Sequence, residues 1–127
     1  MSFADYLEGE LLDHLFDIGA YTAPSMYVGL STADPTDDAS GLAEPSSGAY
    51  ARVAVTAWSR SGNEVDNDND ITFPTATGSW GTVTHACLFD AATSGNLLLS
   101  FALDSSKAVV SGDTVKFAAG QFNVTLD

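Results

Sequence analysis

From Met26 onward, apolar side chains recur at every second position in short runs, and nearly every run is closed by Gly, Pro, Ser, Asn or Asp. A period of two is the period of a strand with one buried face, so most of this chain has to form sheet. MYVGLS sets Met26, Val28 and Leu30 against Tyr27, Gly29 and Ser31, and ARVAVTAW sets Val53, Val55 and Ala57 against Arg52, Ala54 and Thr56. ITFP follows, then TVTHACLFD with Val83, His85, Cys87 and Phe89 assigned to one face, then NLLLSFALD with Leu97, Leu99, Phe101 and Leu103 assigned to one face. KAVV, DTVKFA and QFNVTLD complete the set, and Phe122, Val124 and Leu126 alternate towards the end. TGSWG, ATSGN, DSSK, SGD and AAG read as the turns between them. ADPTDDASGLAEPSSG, from Ala33 to Gly48, reads as a long exposed loop, and SGNEVDNDND as a second polar connection, the most acidic stretch of the chain. The spacing of about seven strands predicts a mainly β fold, an antiparallel β-sandwich with a jelly-roll strand order as one variant.

The first residues obey a different period. In SFADYLEGELLDHLF, Leu7, Leu11 and Leu15 stand four apart, with Phe3 before them and Leu12 and Phe16 beside them. That is one N-terminal α-helix, from Ser2 to about Phe16, with Ser2 as its cap, Asp5 as the acidic partner of a capping box and Gly19 as its stop. A helix this short is marginal alone in water, so its stripe must bury itself against its own domain or another subunit. Phe3, Leu7, Leu11 and Leu15 are therefore the candidate interaction residues.

A chain of 127 residues fits a single domain, 1–127, divided into the helical segment 1–19 and the β-sandwich 25–127. Only Arg52, Arg60, Lys107 and Lys116 oppose 17 acids, and a net charge of -13 argues against nucleic acid as a partner. The lone Cys87 has no partner for an internal disulfide and lies in no zinc-ligand spacing. No apolar run is long enough to span a membrane, and the acidic start is unlike a signal peptide, so neither membrane insertion nor Sec export is expected.

Catalytic chemistry finds little footing. His14 sits on the helix and His85 within a strand, neither in a nucleophile-base motif. Cys87 has no neighbouring base, which makes it a buried hydrophobe, and no carboxylate lies in an apolar run that would raise its pKa for glycoside hydrolysis. Asp66, Asp68 and Asp70 open like a calcium loop, but Ile71 stands where such a loop needs Gly and Thr77 where it needs Glu. Trp58 and Trp80 have two readings, stacking on sugar rings or covering a core end, and Trp80, bracketed by Gly78 and Gly81, favours the second. No enzyme activity, metal or cofactor is expected.

ITFPTATGSWGTVTH, FDAATSGNLLLSFAL, SGDTVKFAAG and NVTLD resemble a family of small virion proteins of tailed bacteriophages. The resemblance extends to SFADYLEGELLDHLF, YTAP, YVGLSTADP and GLAEPSSGAYARVAV, and so covers nearly the whole chain. Members are commonly labelled tail fibre proteins and are similar to capsid decoration or cement proteins. The resemblance implies a non-enzymatic structural role in the virion, with the major capsid protein or other virion proteins as partners and homo-oligomers as the working form. Capsid decoration is the first expectation, because a shaft-like repeat is absent from these residues. A tail fibre or attachment module contacting host glycans is the alternative.

Overall fold

The computed structural model describes residues 1–127. Eleven elements follow in chain order: β1 (Ser2–Phe3), α1 (Asp5–Leu15), β2 (Met26–Ser31), β3 (Val53–Val55), β4 (Trp58–Ser61), β5 (Glu64–Asn67), β6 (Ile71–Thr72), β7 (Gly81–Phe89), β8 (Leu97–Val109), β9 (Lys116–Phe117) and β10 (Asn123–Thr125). The chain is thus mainly antiparallel β with a single helix near its N-terminus, as the alternation requires.

The principal sheet has the order β1-β8-β7-β2-β3, and β7 and β8 form its spine. Their pairing runs from Gly81↔Val109 to Phe89↔Leu97 with two irregularities. Between the pairs Val83↔Lys107 and His85↔Ala102, β7 contributes only Thr84 where β8 contributes Leu103 to Ser106. DSSK is therefore not a turn, and NLLLSFALD and KAVV are one strand. Gly81, Thr82 and Val83 still offer ladder partners beyond the polar residues, so the excess is absorbed as a large bulge of four residues against one instead of a reversal.

A bulge also shifts which residues share a face. Val83, Ala86 and Leu88 point into the main core, whereas Cys87 and Phe89 pack on the opposite side with Leu97. The single faces expected for Val83, His85, Cys87 and Phe89, and for Leu97 to Leu103, are corrected accordingly: Val83 and Leu97 each change sides.

The second layer is smaller. β10-β5-β4 makes a three-stranded sheet and β6-β9 a two-stranded one, an unequal arrangement that differs from the eight-stranded jelly roll. ARVAVTAW breaks between the layers, giving β3 to the large sheet and β4 to the small one. The acidic stretch is not merely a connection, since β5 lies inside it, joined to β4 by the two-residue turn Gly62-Asn63. Gly62 adopts φ +62°, matching the Gly-first order of tight hairpins. Polar side chains hid this strand, which is held by backbone pairing on both sides.

Between the layers lie Val28, Leu30, Ile71, Phe73, Trp80, Phe117 and Phe122, with aromatic rings meeting mostly edge to face. Trp80 is 4% exposed and its Nε1 donates to Gly48 O at 2.8 Å, so it seals one end of the core. The outer face of the large sheet is covered as well. Pro35 is buried, and Ala39 and Leu42 pack over the Cys87-Phe89 cluster, so the 33–48 segment is a packed cover and not the wholly exposed loop its composition suggests. Gly29 makes this approach feasible. A Cβ there would stand 2.8 Å from the Phe89 ring and 2.9 Å from the Tyr50 hydroxyl.

Candidate functional site

α1 begins differently from the expected capping box. Ser2 is paired in β1 with Ser100 and donates its hydroxyl to Asp37, while Ala4 is the N-cap and offers no side-chain bond. The first amides are satisfied from outside: Ala4 N–H donates to Leu98 O at 2.8 Å and Asp5 N–H to Asp37 O at 2.9 Å. The far end stops before Gly19. Asp17 takes φ +60°, Ile18 N–H reaches Asp13 O at 2.9 Å and Asp17 N–H reaches His14 O at 3.4 Å, the bond pattern of a Schellman cap. Asp tolerates the left-handed conformation better than most residues, which is why glycine is not needed there.

The leucine stripe is divided by this placement. Phe3 and Leu7 are half-buried against the main core. Leu11 lies at the boundary, and Leu12, Leu15, Phe16 and Ile18 are 56%, 75%, 67% and 76% exposed. Their surroundings are acidic, with Glu8, Glu10, Asp13 and Asp17 on or beside the same helix. His14 is exposed, and its Nδ1 accepts the Tyr21 N–H at 3.2 Å.

The other singled-out residues serve the fold. His85 is half-buried and its Nδ1 meets Thr84 Oγ1 at 2.8 Å. Burial pushes the Cys87 thiol up to about 12, so the thiolate is scarce near neutral pH. We expect a thiol reagent at pH 8 to leave Cys87 unmodified in the native chain and to label it fully in denaturant; rapid native labelling would show that the outer cover opens. Trp58 is half-buried, packs on Phe122 with ring centroids 5.8 Å apart, and donates to Val55 O.

Asp66, Asp68 and Asp70 do not converge. Asp66 is in β5, Asp68 accepts from the Ser59 hydroxyl, and Asp70 accepts the Ala119 N–H at 3.1 Å while facing Lys116 at 3.6 Å. No group of three acidic, His or Cys side chains is placed so that it could hold a metal ion. On the 33–48 cover, hydrogen bonds from Thr36 and Ser40 hold the Asp38 carboxyl at about 2, below the usual range.

Two features escaped sequence reading. Arg52 clamps the outer cover: its Nη2 lies 2.5 Å from Glu44 Oε1, its Nη1 donates to Ala91 O and Ser94 O at 2.8 Å, and its guanidinium carbon sits 3.5 Å from the Phe89 ring centroid. Tyr50 donates to Glu44 Oε2 at 2.6 Å and accepts the Leu30 N–H at 3.0 Å; burial first, then the Glu44 contact, keeps its phenol neutral. The second is a cavity of about 320 Å³ where β8, past Leu99, passes β9, with Lys107 and Lys116 among its lining. The two lysines come from strands of different sheets and share only this lining.

The chain matches the family model of the podophage GP4 fiber I protein gp80 over residues 2–125. The chain belongs to this family. It is therefore a structural protein of the phage fibre type, located in the virion and associated with other virion proteins. No curated protein matches the chain. Membership in the gp80 family agrees with the resemblance drawn from GSWGTVTH and the flanking stretches.

Proposed function

We propose that this chain is a non-enzymatic subunit of the fibre apparatus that joins its neighbours through the exposed end of α1. The observation that carries the reading is the run Leu11, Leu12, Leu15, Phe16 and Ile18, left open to solvent by a domain whose other large apolar side chains are mostly packed. A contiguous apolar patch rimmed by polar residues is the usual mark of a protein contact. A structural role also fits side chains whose chemistry is already engaged: His85 with Thr84, Cys87 in the core and Arg52 with Glu44.

Leu11→Asp tests the contact. Because Leu11 is already 38% exposed, the isolated variant should melt within a few degrees of the parent. Its incorporation into particles should fall by about tenfold or more, the equivalent of roughly 1.4 kcal/mol of lost contact. Normal incorporation would overturn the reading. Labelling the chain and imaging whole particles tests its position: density along the fibre supports the proposal, and density on the outer capsid surface would support decoration instead.

A further inference from the structure

We propose that the apolar end of α1 is occupied by a second copy of this chain, seated head to tail in the cavity that carries Lys107 and Lys116. The inference rests on the reading of α1 as a contact surface and names its partner.

Charge distribution selects the occupant. The first 51 residues contain no Lys or Arg, and α1 with its cap presents Asp5, Glu8, Glu10, Asp13 and Asp17 around the exposed apolar side chains. Two helices meeting face to face would set these acids against their own copies, which costs free energy at close range. The four cations all lie from residue 52 onward. Arg52 is committed to Glu44 inside the outer cover, and Lys107 makes no ion pair. Lys116 faces only Asp70, at 3.6 Å, from an exposed position. Two of the four cations of an acidic chain thus line one concavity.

The shape agrees with the charge. Phe101, Leu103, Val115 and Phe117 give the cavity an apolar lining, Lys107 and Lys116 supply the positive groups, and Asp104 is its one acid. Beside it β8 has a free edge, since β1 pairs only with Leu99 and Ser100 and no strand covers β8 beyond them. An uncovered edge next to an apolar cavity is a place that a native assembly covers. An amphipathic helix laid into an apolar groove, with its acids meeting lysines on the rim, is an established recognition mode. The two surfaces are different patches of one chain, so the contact is heterologous and propagates into a ring or a filament.

Sedimentation velocity on the purified chain tests this, using a concentration series reaching about 1 mM, where even a contact of about 4 kcal/mol assembles half the chains. The parent should form species larger than the monomer. Leu15→Asp and Lys107→Glu change exposed side chains, so both should keep the parent's circular dichroism and melting temperature. Each alone should sediment as a monomer. Mixed in equal amounts they should form a two-chain complex and nothing larger, because one supplies an intact cavity and the other an intact helix. A monomeric parent, normal assembly by Lys107→Glu, or no complex in the mixture would overturn the proposal. Loss of Leu11→Asp from particles together with normal incorporation of Lys107→Glu would leave α1 as a contact surface and remove the second copy as its occupant.

Discussion

Replacing Arg52 with Met should destabilise the chain by about 3 to 5 kcal/mol, the usual result of removing one member of a buried ion pair. Arg52 and Glu44 side chains are only 6% and 19% exposed, and the guanidinium also caps the carbonyls of Ala91 and Ser94. With Met in place, the packing on Phe89 is largely retained, but the Glu44 carboxylate keeps only the Tyr50 hydroxyl as a partner. The uncompensated charge, not the lost attraction, dominates the cost. Thermal unfolding should show a fall of roughly 10 °C or more. The double variant Arg52→Met, Glu44→Leu should recover much of that loss. If the double variant melts as low as the single one, the cost lies in the uncapped carbonyls of Ala91 and Ser94, and the account from an uncompensated charge is wrong.

The same clamp shows what the sequence conceals. Arg52 looked like one polar position in an alternating strand, and Glu44 like one acid among 17. Their meeting depends on the 33–48 segment folding back over β2, through Thr32 N–H to Ala43 O and Ala43 N–H to the Ser31 hydroxyl, and no local period encodes that return. Met26–Ser31 and Gly81–Phe89 were legible as strands, following the runs that alternation marked, but the cover on the outer face of their sheet and the side to which Val83 turns were not. β5 was not, since EVDN carries its information in backbone pairing to two strands that lie on either side of it in sequence. The bulge at Leu103 to Ser106 misled for a related reason, because Asp and Ser suit both a turn and a loosely paired strand.

The candidate contact was half legible. Four-residue spacing located the stripe of Phe3, Leu7, Leu11 and Leu15, but spacing carries no information on where the domain stops supporting a helix. That boundary falls between Leu7 and Leu11, where α1 runs past the sheet that holds its first turn. Lys107 and Lys116, on opposite sides of the SGD turn, were legible only as two scattered cations.

Asn67→Leu should destabilise the chain by about 2 to 4 kcal/mol, although the residue sits in the stretch that reads as the most solvent-loving of all. Asn67 is 1% exposed. Its Nδ2 donates to Asn69 O at 2.7 Å and Ala118 O at 3.1 Å, and its Oδ1 accepts the Phe122 N–H at 2.9 Å. One amide therefore fastens the turn after β5 to the chain before β10 and holds the backbone that delivers Phe122 to the core, where its ring meets Trp58, Phe101 and Phe117. Leucine fills similar space but strands three polar partners. The Phe122 amide is the costliest, being buried, whereas the carbonyls of the more open Asn69 and Ala118 can take up water. Asp68→Asn, one residue away, removes a charge from an exposed side chain and should change stability by about 0.5 kcal/mol at most. Chemical denaturation of the two variants decides between two views of this segment. If Asp68→Asn proved the more damaging, the alternating carboxylates would be what shapes it, and the buried amide between them would be incidental.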